Sequence, residues 1–366
     1  MKKLLKGRAL CFGLFSYPHP WRKPSKNYII YRMLVSDFNY DLPEENIAKR
    51  PPKVRGTTRL LVLNKQTGEI TDSHYANIAD FLEPGDLIVL NDTRVMRARL
   101  FATLPDGRPR ELVVLEKHKS DLNTVMYRGK LHAGDILTVN DSDDQITIQE
   151  ILGNGTATVS SNRPLADIVE AHGNVPLPPY LHRDADADDI KRYQTVWAKE
   201  LGSAAAPTAS LNMTEETLAK LKAKGVQIKY LTLHVGLGTF LPIRSDNVEE
   251  HHMHSEWFQI PAETIKAIEA TKAAGHRVVA VGTTVTRTLE FWAKSGKTEG
   301  EDDIFIYPGF KFEVVDALLT NFHAPKSTVL MLAAAFAGWE HLKPAYDHAV
   351  KSGYQLLSYG DSMFIC

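Results

Sequence analysis

The sequence predicts an α/β fold, in which a mixed, largely parallel sheet domain with helices is interrupted by a small antiparallel β-barrel domain. Two observations predict it. From Glu215 onward, helical segments alternate with apolar, strand-like runs, the pattern of layered α/β proteins. Between Arg97 and about Thr158, short β-type segments follow one another with only turns between them, as in a small barrel. With 366 residues, the chain is long enough for two domains.

The elements of the α/β part are predicted from apolar periodicity and from proline and glycine boundaries. Predicted helices are Glu44–Ala48, Tyr75–Leu82, Glu215–Lys224, Pro261–Ala274, a helix from near Thr284, Thr328–Phe336 and Lys343–Ser352. Predicted strands are Arg59–Leu63 with a hairpin partner after the turn at Asn64–Gly68, Leu87–Leu90, Gln227–His234, Arg277–Val281, Asp303–Ile306 and a terminal strand around Ser358.

The barrel is predicted from six short segments, and Leu165–His172 is predicted to be a helix. The segments are Ala98–Thr103, Glu111–Glu116, Thr124–Tyr127, Ile136–Val139, Gln145–Ile151 and Thr156–Val159. The predicted domains are therefore a basic extension at 1–32, a discontinuous α/β catalytic domain at 33–95 and 180–366, and an inserted barrel at 96–179. The acidic run Asp184–Asp189 is expected to be a solvated loop, because it lacks the glycine and glutamate of a calcium loop.

Composition indicates a globular protein in a reducing compartment. Hydrophobic residues make up 43% and charged residues 24% of the chain, and the two cysteines, Cys11 and Cys366, have no paired spacing. We expect a cytoplasmic protein. A signal peptide is disfavoured because the apolar run of residues 9–15 is broken by Gly13 and lacks a cleavage site. Residues 1–32 are expected to be a basic extension or to lie upstream of a natural start at Met33. No apolar run is long enough to span a membrane.

The segment Gly202–Thr214 is unusually rich in small residues. Such residues let the backbone pass close to another chain or to a ligand, and Pro207 stiffens the passage. Thr214 is a suitable N-cap for the following helix, whose first turn carries two glutamates. Tight packing without a ligand accounts for these features equally well, so the segment alone does not define a site.

Three strand ends carry polar groups, and ligands of open α/β sheets bind at such ends. The first is Leu231–Phe240, in which His234 is the titratable group and Gly236 and Gly238 allow close backbone approach. The second is Val278–Thr288, whose glycine turn and threonines suit a carboxylate, phosphate or ribose. The third is Thr320–Thr328, a polar loop that enters a helix. Helix capping or a structural histidine is the alternative at each of these positions.

Histidines and arginines form further clusters. His252 and His254 have the spacing of zinc ligands on a strand, but no second ligand cluster accompanies them, so no metal is expected. Acid–base catalysis by His254, oriented by Glu256, is the more plausible role. Residues 1–32 carry basic residues and no acid, while the net charge of the whole chain is −1, so the remaining body is acidic. Phosphate contacts are therefore expected at local basic groups. The candidates are Lys49, Arg50, Lys53, Arg55, Arg59, Arg94, Arg97 and Arg99.

Read together, a series of short motifs resembles the S-adenosylmethionine:tRNA ribosyltransferase-isomerase family of queuosine biosynthesis. The resemblance covers roughly Met33 to Cys366. The motifs are Asp37-Phe-x-Tyr-x-Leu-Pro43, Asn91-x-Thr-Arg-Val95, Pro176-Leu-Pro-Pro-Tyr180, Tyr193-Gln-Thr-Val196, Ala205-Ala-Pro-Thr208, Thr232-Leu-His-Val-Gly-Leu-Gly-Thr-Phe240, His252-Met-His254, Val281-Gly-Thr-Thr284, Ile306-Tyr-Pro-Gly309, Val315-Asp316, Asn321-Phe-His323 and Ser358-Tyr-Gly-Asp361.

This resemblance implies an α/β domain interrupted by a β-barrel, and a transfer reaction. The ribosyl group of S-adenosylmethionine is moved onto 7-aminomethyl-7-deazaguanine at the wobble position of a tRNA and isomerised, with release of adenine and methionine. The product is epoxyqueuosine-tRNA. No cofactor beyond the co-substrate S-adenosylmethionine and no metal is implied, and we expect a monomer that does not bind membranes.

Residue roles follow from the resemblance and from the needs of that reaction. A base must remove a proton beside the sulfonium, and His234 and His254 are the candidates; Asp361 is a candidate for deprotonating the acceptor amine. The tRNA is expected to meet Arg59, Arg94, Arg97 and Arg99. Substrate is expected at Thr208, Asn212, Gly236, Gly238, Thr239, Thr283, Thr284, Asn321 and His323.

Within these motifs the chain departs from the family pattern at Ser210, Asn212, Met213, Leu241 and Gln355. Asn212 stands where the family typically has histidine, so an amide that can only hydrogen-bond replaces a titratable ring. Two alternatives therefore stay open beside the family activity. One is a divergent S-adenosylmethionine-binding paralogue with another acceptor or no turnover, and the other is a non-catalytic tRNA-binding protein.

Overall fold

The computed structural model describes residues 32–115, 123–153, 155–236, 243 and 245–366. The α-helices are α1 (Leu165–His172), α2 (Ala187–Arg192), α3 (Glu215–Ala223), α4 (Ala262–Ala273), α5 (Thr283–Ser295), α6 (Thr328–Ala337) and α7 (Trp339–Lys351). Short 3-10 helices lie at Val35–Asp37, Glu44–Asn46, Tyr75–Phe81, Pro179–Leu181, Thr208–Ser210 and Val248–Glu250.

The strands form a large sheet, a barrel and a two-stranded pair. They are β1 (Arg59–Leu63), β2 (Ile70–His74), β3 (Leu87–Asn91), β4 (Thr93–Val95), β5 (Arg99–Thr103), β6 (Pro109–Val114), β7 (Thr124–Arg128), β8 (Ile136–Val139), β9 (Gln145–Gly153), β10 (Thr156–Ser161), β11 (Glu200–Ser203), β12 (Gln227–Leu233), β13 (Glu256–Gln259), β14 (Val278–Val281), β15 (Glu299–Asp302), β16 (Ala317–Asn321) and β17 (Ser362–Ile365).

The large sheet has nine strands in the order β15-β13-β12-β3-β14-β16-β17-β1-β2. Its four central strands, β12, β3, β14 and β16, run parallel, and antiparallel strands flank them. Both faces of the sheet are covered by core. In β3, for example, Leu87 and Val89 belong to one hydrophobic cluster and Ile88 and Leu90 to the other. A continuous apolar run is expected of a parallel strand buried on both faces.

The inserted unit is a closed six-stranded antiparallel barrel in the order β10-β7-β6-β5-β8-β9. Alternate residues of its strands point inward, so that Leu100 and Ala102 of β5 are fully buried and their neighbours are not. Its hydrophobic core is its own and includes one face of α1. The fold class expected from the sequence is therefore confirmed. The domain boundaries at 33–95, 96–179 and 180–366 stay a prediction.

Several predicted elements were misplaced. The strand expected at Asp303–Ile306 lies just before that segment, as β15 at Glu299–Asp302. It ends there because the buried Asp302 accepts the backbone N–H of Ile304 through its Oδ1. The terminal strand expected around Ser358 begins at Ser362, after a loop in which Leu357 has a φ of 71°. The run Asp184–Asp189 is not a solvated loop. Asp186 caps α2, and Asp189 is buried against Arg183 and Tyr359.

Candidate functional site

The three polar strand ends singled out from the sequence lie at one edge of the large sheet. Because β12, β3, β14 and β16 are parallel neighbours, their carboxyl ends converge there, placing His234, Gly282 and Asn321 along one line. Strand β17 runs antiparallel to β16 and starts opposite Asn321, so Asp361 joins the same edge. A single edge therefore brings together most of the polar groups expected at the site.

His234 is the titratable group at the end of β12, and its ring is held on several sides. It is 5% exposed. The hydroxyl of Thr93 lies 2.8 Å from its Nδ1, and the Trp257 side chain stacks against the ring at 5.1 Å between centroids. A Cβ built on Gly202 would come within 2.6 Å of Nε2, so only glycine lets the backbone pass at that point. The ring therefore has one defined orientation.

The small-residue segment Gly202–Thr214 runs along this edge. It makes two hydrogen bonds with Val235, which lies just after β12. Ser203 Oγ accepts the Val235 N–H at 2.8 Å, and the Ala204 N–H donates to the Val235 oxygen at 3.0 Å. Farther on, Gly282, at the end of β14, faces Ala209 closely enough that an added Cβ would lie 3.5 Å from the alanine Cβ. The segment therefore passes from the end of β12 to the end of β14 as a close-fitting wall.

Several buried polar atoms on this wall and its neighbours have no hydrogen-bond partner in the described part of the chain, among them Ser210 Oγ, Thr284 Oγ1 and Asn321 Oδ1. Ser210 ends a 3-10 helix that contacts β16, and Thr284 lies in the first turn of α5, whose N-cap is Gly282 without a side-chain cap. Leaving buried polar groups unsatisfied costs about 1–3 kcal/mol each. Their grouping at the strand ends is typical of a ligand site.

A buried ionic network lies on the other side of the β12 end. Glu256 is 1% exposed and receives the Arg287 guanidinium at 2.8 Å, the Gly236 N–H at 2.8 Å and the His254 Nε2 at 3.1 Å. Arg287 also donates to the backbone oxygen of Asp302 at 3.1 Å. Burial acts to raise the pKa of Glu256, but the charge of Arg287 and the hydrogen bonds from His254 and Gly236 outweigh it, so the pKa lies below its ordinary value.

This geometry can be compared with known proteins. A family model described as "Queuosine biosynthesis protein" matches residues 35–365. The S-adenosylmethionine:tRNA ribosyltransferase-isomerase of Pelodictyon phaeoclathratiforme is 54% identical over 342 residues, which is 91% of this chain and 100% of the relative. The protein of the same name from Francisella tularensis subsp. novicida is 45% identical over 345 residues, with the same coverage of both chains. The chain belongs to the S-adenosylmethionine:tRNA ribosyltransferase-isomerase family.

A solved structure agrees with the family. The S-adenosylmethionine tRNA ribosyltransferase from Thermotoga maritima is 34% identical, covers 90% of this chain and 100% of its own, and superposes with a TM-score of 0.53. The resemblance noted from the motifs is therefore confirmed. Members of this family are transferases that isomerise the transferred group, and they serve queuosine biosynthesis and tRNA modification.

Two residues predicted for the family's chemistry hold the loop before β17. Both carboxylate oxygens of Asp361 accept backbone N–H groups, from Arg59 at 2.7 Å and Gln355 at 2.8 Å. Burial raises the pKa of Asp361, and these hydrogen bonds oppose it only in part. Asn212 is 2% exposed and donates to the Gly360 oxygen at 2.9 Å. The role of Asp361 as a second base stays a prediction, and its contacts show that it also braces this loop.

His323 is half-buried at the end of β16. Its Nε2 lies 3.0 Å from the hydroxyl of Thr320, its backbone N–H donates to Tyr346 and its carbonyl accepts from Tyr40. Desolvation lowers the pKa of His323 to about 3, so the ring is neutral at physiological pH. A neutral ring can hydrogen-bond to a substrate but cannot supply a positive charge.

The predicted tRNA-binding arginines differ in what they contact. Arg99 pairs with Glu111 at 2.9 Å and Asp184 at 2.8 Å. The Arg97 guanidinium donates to backbone oxygens of α1 and of the residue that follows it. Arg59 lies over the Tyr354 ring and donates to the Ser352 oxygen. Arg94, in contrast, is exposed on β4. Their contact with tRNA stays a prediction, for which Arg94 is the most accessible of the four.

Other predicted residues lie elsewhere or outside the described part of the chain. Gly238, Thr239 and Leu241 lie outside the described residues. Thr208 begins the 3-10 helix of the wall, and Thr283 is buried in the first turn of α5. The pair His252 and His254 precedes β13 instead of lying on a strand. Among the described residues, no group of three or more histidines, cysteines or carboxylates lies close enough together to hold a metal ion. No helix in that part of the chain is long and apolar enough to cross a membrane.

Sequence reasoning missed the residues that orient the candidate bases. Thr93 lies in the Asn91-x-Thr-Arg-Val95 motif, but nothing in that motif indicates that its hydroxyl meets a histidine 141 positions away. Trp257 and Arg287 were likewise not identified. The available signal was chemical, because an arginine among threonines on an otherwise buried helix face requires a buried acid as its partner.

Proposed function

We propose that this chain transfers and isomerises the ribosyl moiety of S-adenosylmethionine onto 7-aminomethyl-7-deazaguanine at the wobble position of tRNA. Adenine and methionine are released, and epoxyqueuosine-tRNA is the product. The observation that carries the proposal is the fixed, buried His234 at the same sheet edge as the three unsatisfied atoms of Ser210, Thr284 and Asn321. A base beside unsatisfied donors and acceptors is what proton abstraction from a bound polar substrate requires.

Each group at the edge has a role in this reaction. The sulfonium acidifies the neighbouring ribose carbon, and His234 takes a proton from it. His254, held by Glu256, is the alternative base. Hydroxyls and N–H groups at Thr208, Thr283 and Thr284 hold the ribose or the methionine carboxylate. Asp361 takes part in deprotonating the acceptor amine. Asn212, Asn321, His323 and the glycines Gly236 and Gly238, with Thr239, complete the substrate site.

The protein needs no metal or redox cofactor in this scheme, because the sulfonium already activates the transferred group. S-adenosylmethionine is consumed as a co-substrate. The partners are tRNA carrying the 7-deazaguanine precursor and S-adenosylmethionine, and the protein acts as a cytoplasmic monomer.

The test is adenine release. Protein is incubated with S-adenosylmethionine and tRNA bearing the deazaguanine precursor, and adenine, methionine and modified nucleoside are quantified together. Equal amounts of all three support the proposal. Adenine with a different acceptor only indicates a divergent paralogue, and tRNA retention without adenine indicates a non-catalytic binding protein. Either result contradicts the proposal.

The base is tested by replacing His234 with alanine. Adenine release is expected to be abolished while S-adenosylmethionine binding, measured by calorimetry, is kept. The matched control is His276→Ala, because His276 is exposed and precedes β14 at the opposite end of the sheet. Full turnover in the His234 variant would remove this residue as the base and leave His254 as the remaining histidine candidate.

A further inference from the structure

Four cations next to the site edge have no acidic partner among the described residues. Lys53 and Arg94 are exposed, and Arg55 and Arg192 are half-buried. Within the described ranges, none of the four lies within ion-pair distance of a carboxylate. Neighbouring cations differ, because Lys49 pairs with Glu44, Arg50 with Asp186, and Arg183 with Asp189. Unpaired cations on an otherwise acidic body indicate a place where an anion binds.

Arg55 and Arg192 are interlocked through the backbone. Arg192 donates to the Pro52 oxygen at 2.8 Å and to the Lys53 oxygen at 3.5 Å. Arg55 donates in return to the Gln194 oxygen at 3.0 Å. Each guanidinium therefore holds the chain segment that carries the other. Each also keeps N–H groups beyond those used, since a guanidinium has five donors.

The two guanidiniums repel each other. Desolvation and, after it, the charge of Arg192 lower the pKa of Arg55. Placing two cations together without a carboxylate is unfavourable, and an anion bound between them removes the repulsion. Guanidinium groups bind phosphate oxygens through pairs of parallel hydrogen bonds, so a phosphate is the anion that this arrangement fits best.

Hydrogen bonds and the short strand β4 connect this pair with the candidate base. The Gln194 side chain binds the N–H of Val95 at 3.0 Å and its oxygen at 2.9 Å. Val95 ends β4, the strand on which Thr93 contacts His234 and Arg94 is exposed. A phosphate on the arginines would therefore lie a short distance along the surface from the sheet edge, as the backbone of a nucleic acid does when one of its bases enters a site.

We propose that Arg55 and Arg192 form a phosphate clamp that holds the sugar–phosphate backbone of the RNA substrate beside the catalytic edge, with Lys53 and Arg94 as flanking contacts. The inference rests on the proposed function, since that function supplies the RNA. Of the cations expected from the sequence to contact phosphate, the clamp keeps Lys53, Arg55 and Arg94, and it adds Arg192. Arg97 and Arg99 are already engaged in contacts within the protein, whereas the clamp has charge to offer.

The test is the salt dependence of RNA binding. Unmodified tRNA transcript is titrated with wild type, R55Q, R192Q and the double variant over a series of potassium chloride concentrations. Each phosphate contact contributes roughly 0.7–0.9 to the slope of log K against log salt. The double variant is expected to bind about tenfold or more weakly, and its slope is expected to fall by roughly one to two. Lys222→Gln on α3, which removes one charge at an exposed position, is the matched control for each single variant and is expected to change neither the affinity nor the slope.

Kinetics separates this proposal from the proposed function. With precursor-bearing tRNA, the double variant is expected to raise the KM for RNA by the same factor as its dissociation constant and to keep kcat. If wild type binds tRNA but releases no adenine, the proposed function fails and the binding slopes still test the clamp. If wild type is active and the double variant matches Lys222→Gln in slope and KM, the clamp is wrong.

Two further measurements separate phosphate binding from a purely structural role of the two arginines. The glutamine variants also lose the hydrogen bonds from Arg192 to the Pro52 and Lys53 oxygens and from Arg55 to the Gln194 oxygen. R55K and R192K are therefore measured as well. The lysine variants keep the charge and are expected to keep most of the slope of log K against log salt. If the arginines had a purely structural role, the lysine variants would lose as much of this slope as the glutamine variants. Inorganic phosphate is titrated alone by calorimetry. Phosphate binding that tRNA does not displace, with unchanged RNA affinity in the double variant, would assign the clamp to a free anion and overturn the proposal.

Discussion

Thr93 Oγ1 lies 2.8 Å from Nδ1 of His234, and this buried contact joins the short strand β4 to the end of β12. The same hydroxyl lies 3.5 Å from the Glu200 oxygen, to which it can donate. In the tautomer with its proton on Nδ1, the imidazole donates to this hydroxyl and the hydroxyl donates to the carbonyl. Nε2 then carries the lone pair that a general base needs. Thr93 is therefore a positioning residue for His234.

Replacing Thr93 with valine tests this relationship. Valine keeps the shape and removes the hydroxyl, so the ring loses its preferred tautomer and orientation. We expect the kcat for adenine release to fall roughly 10- to 100-fold, within the usual range for general-base contributions, with little change in KM. Nitrogen-15 NMR of the histidines should show a mixture of tautomers. Thr93→Ser, which keeps the hydroxyl, should restore both readouts, and a Thr93→Ser variant as impaired as Thr93→Val would contradict the assignment.

Gly202→Ala tests the other side of the same ring. The added methyl would lie 2.6 Å from Nε2 and 2.7 Å from Cε1 of His234, so the imidazole has to move. Overpacking of this kind costs about 1–3 kcal/mol of unfolding free energy, and displacement of the base should lower kcat strongly. The control is Gly134→Ala in the barrel, where φ is also positive but no atom lies within 4 Å of the added Cβ. That variant should lose some stability and keep kcat.

How far the sequence predicted this site depends on the range of the interactions involved. The strand ends at His234, Gly282 and Asn321 were predictable, because apolar runs followed by glycine or polar residues are local patterns. Their convergence at one edge follows from parallel strand order. The roles of Thr93 and Trp257, and the two hydrogen bonds from the Gln194 side chain to the Val95 backbone, could not be predicted. Each depends on contacts between segments far apart in the chain. Strand β13 was missed for a related reason, because its first residue, Glu256, is a charged side chain that is buried against the distant Arg287.

The Arg287 network should control stability and its pH dependence. Arg287→Met leaves Glu256 and Asp302 buried without their cation, so we expect a loss of about 3–5 kcal/mol in unfolding free energy at neutral pH. Without Arg287 the folded-state pKa of both carboxyls rises, and protonation then relieves the penalty. The difference in unfolding free energy between wild type and variant, measured by urea unfolding, should therefore become smaller as the pH falls. Lys294→Met on the exposed face of the same helix is the control, and a difference that becomes larger in acid would contradict this account.

His323 should make the protein sensitive to acid. Its pKa is lowered from 6.5 to about 3 in the folded state, so between these values the unfolded chain binds a proton that the folded chain does not. This contribution to stability is present above the unfolded pKa and is lost as the pH falls through that window, at up to about 1.4 kcal/mol per pH unit. His323→Gln should unfold with a shallower dependence between those pH values. The exposed His276→Gln should keep the wild-type dependence, and equal slopes for all three proteins would refute the prediction.

Asn212 tests whether the site has compensated for its departure from the family pattern. Its amide donates to the Gly360 oxygen at 2.9 Å and so ties the small-residue wall to the loop that Asp361 braces. Histidine at this position can keep that bond through one ring nitrogen and present the other to the site. We expect Asn212→His to raise the kcat for adenine release several-fold at nearly unchanged stability. Asn212→Ala should leave the buried carbonyl of Gly360 without this donor, at a cost of about 1–3 kcal/mol, and lower kcat. Raised turnover in the histidine variant with intact melting behaviour would show a catalytic contribution at this position. Loss of activity in Asn212→His would contradict the expectation that the asparagine lowers turnover. Full activity in Asn212→Ala would contradict the role of its hydrogen bond to Gly360 in positioning the wall.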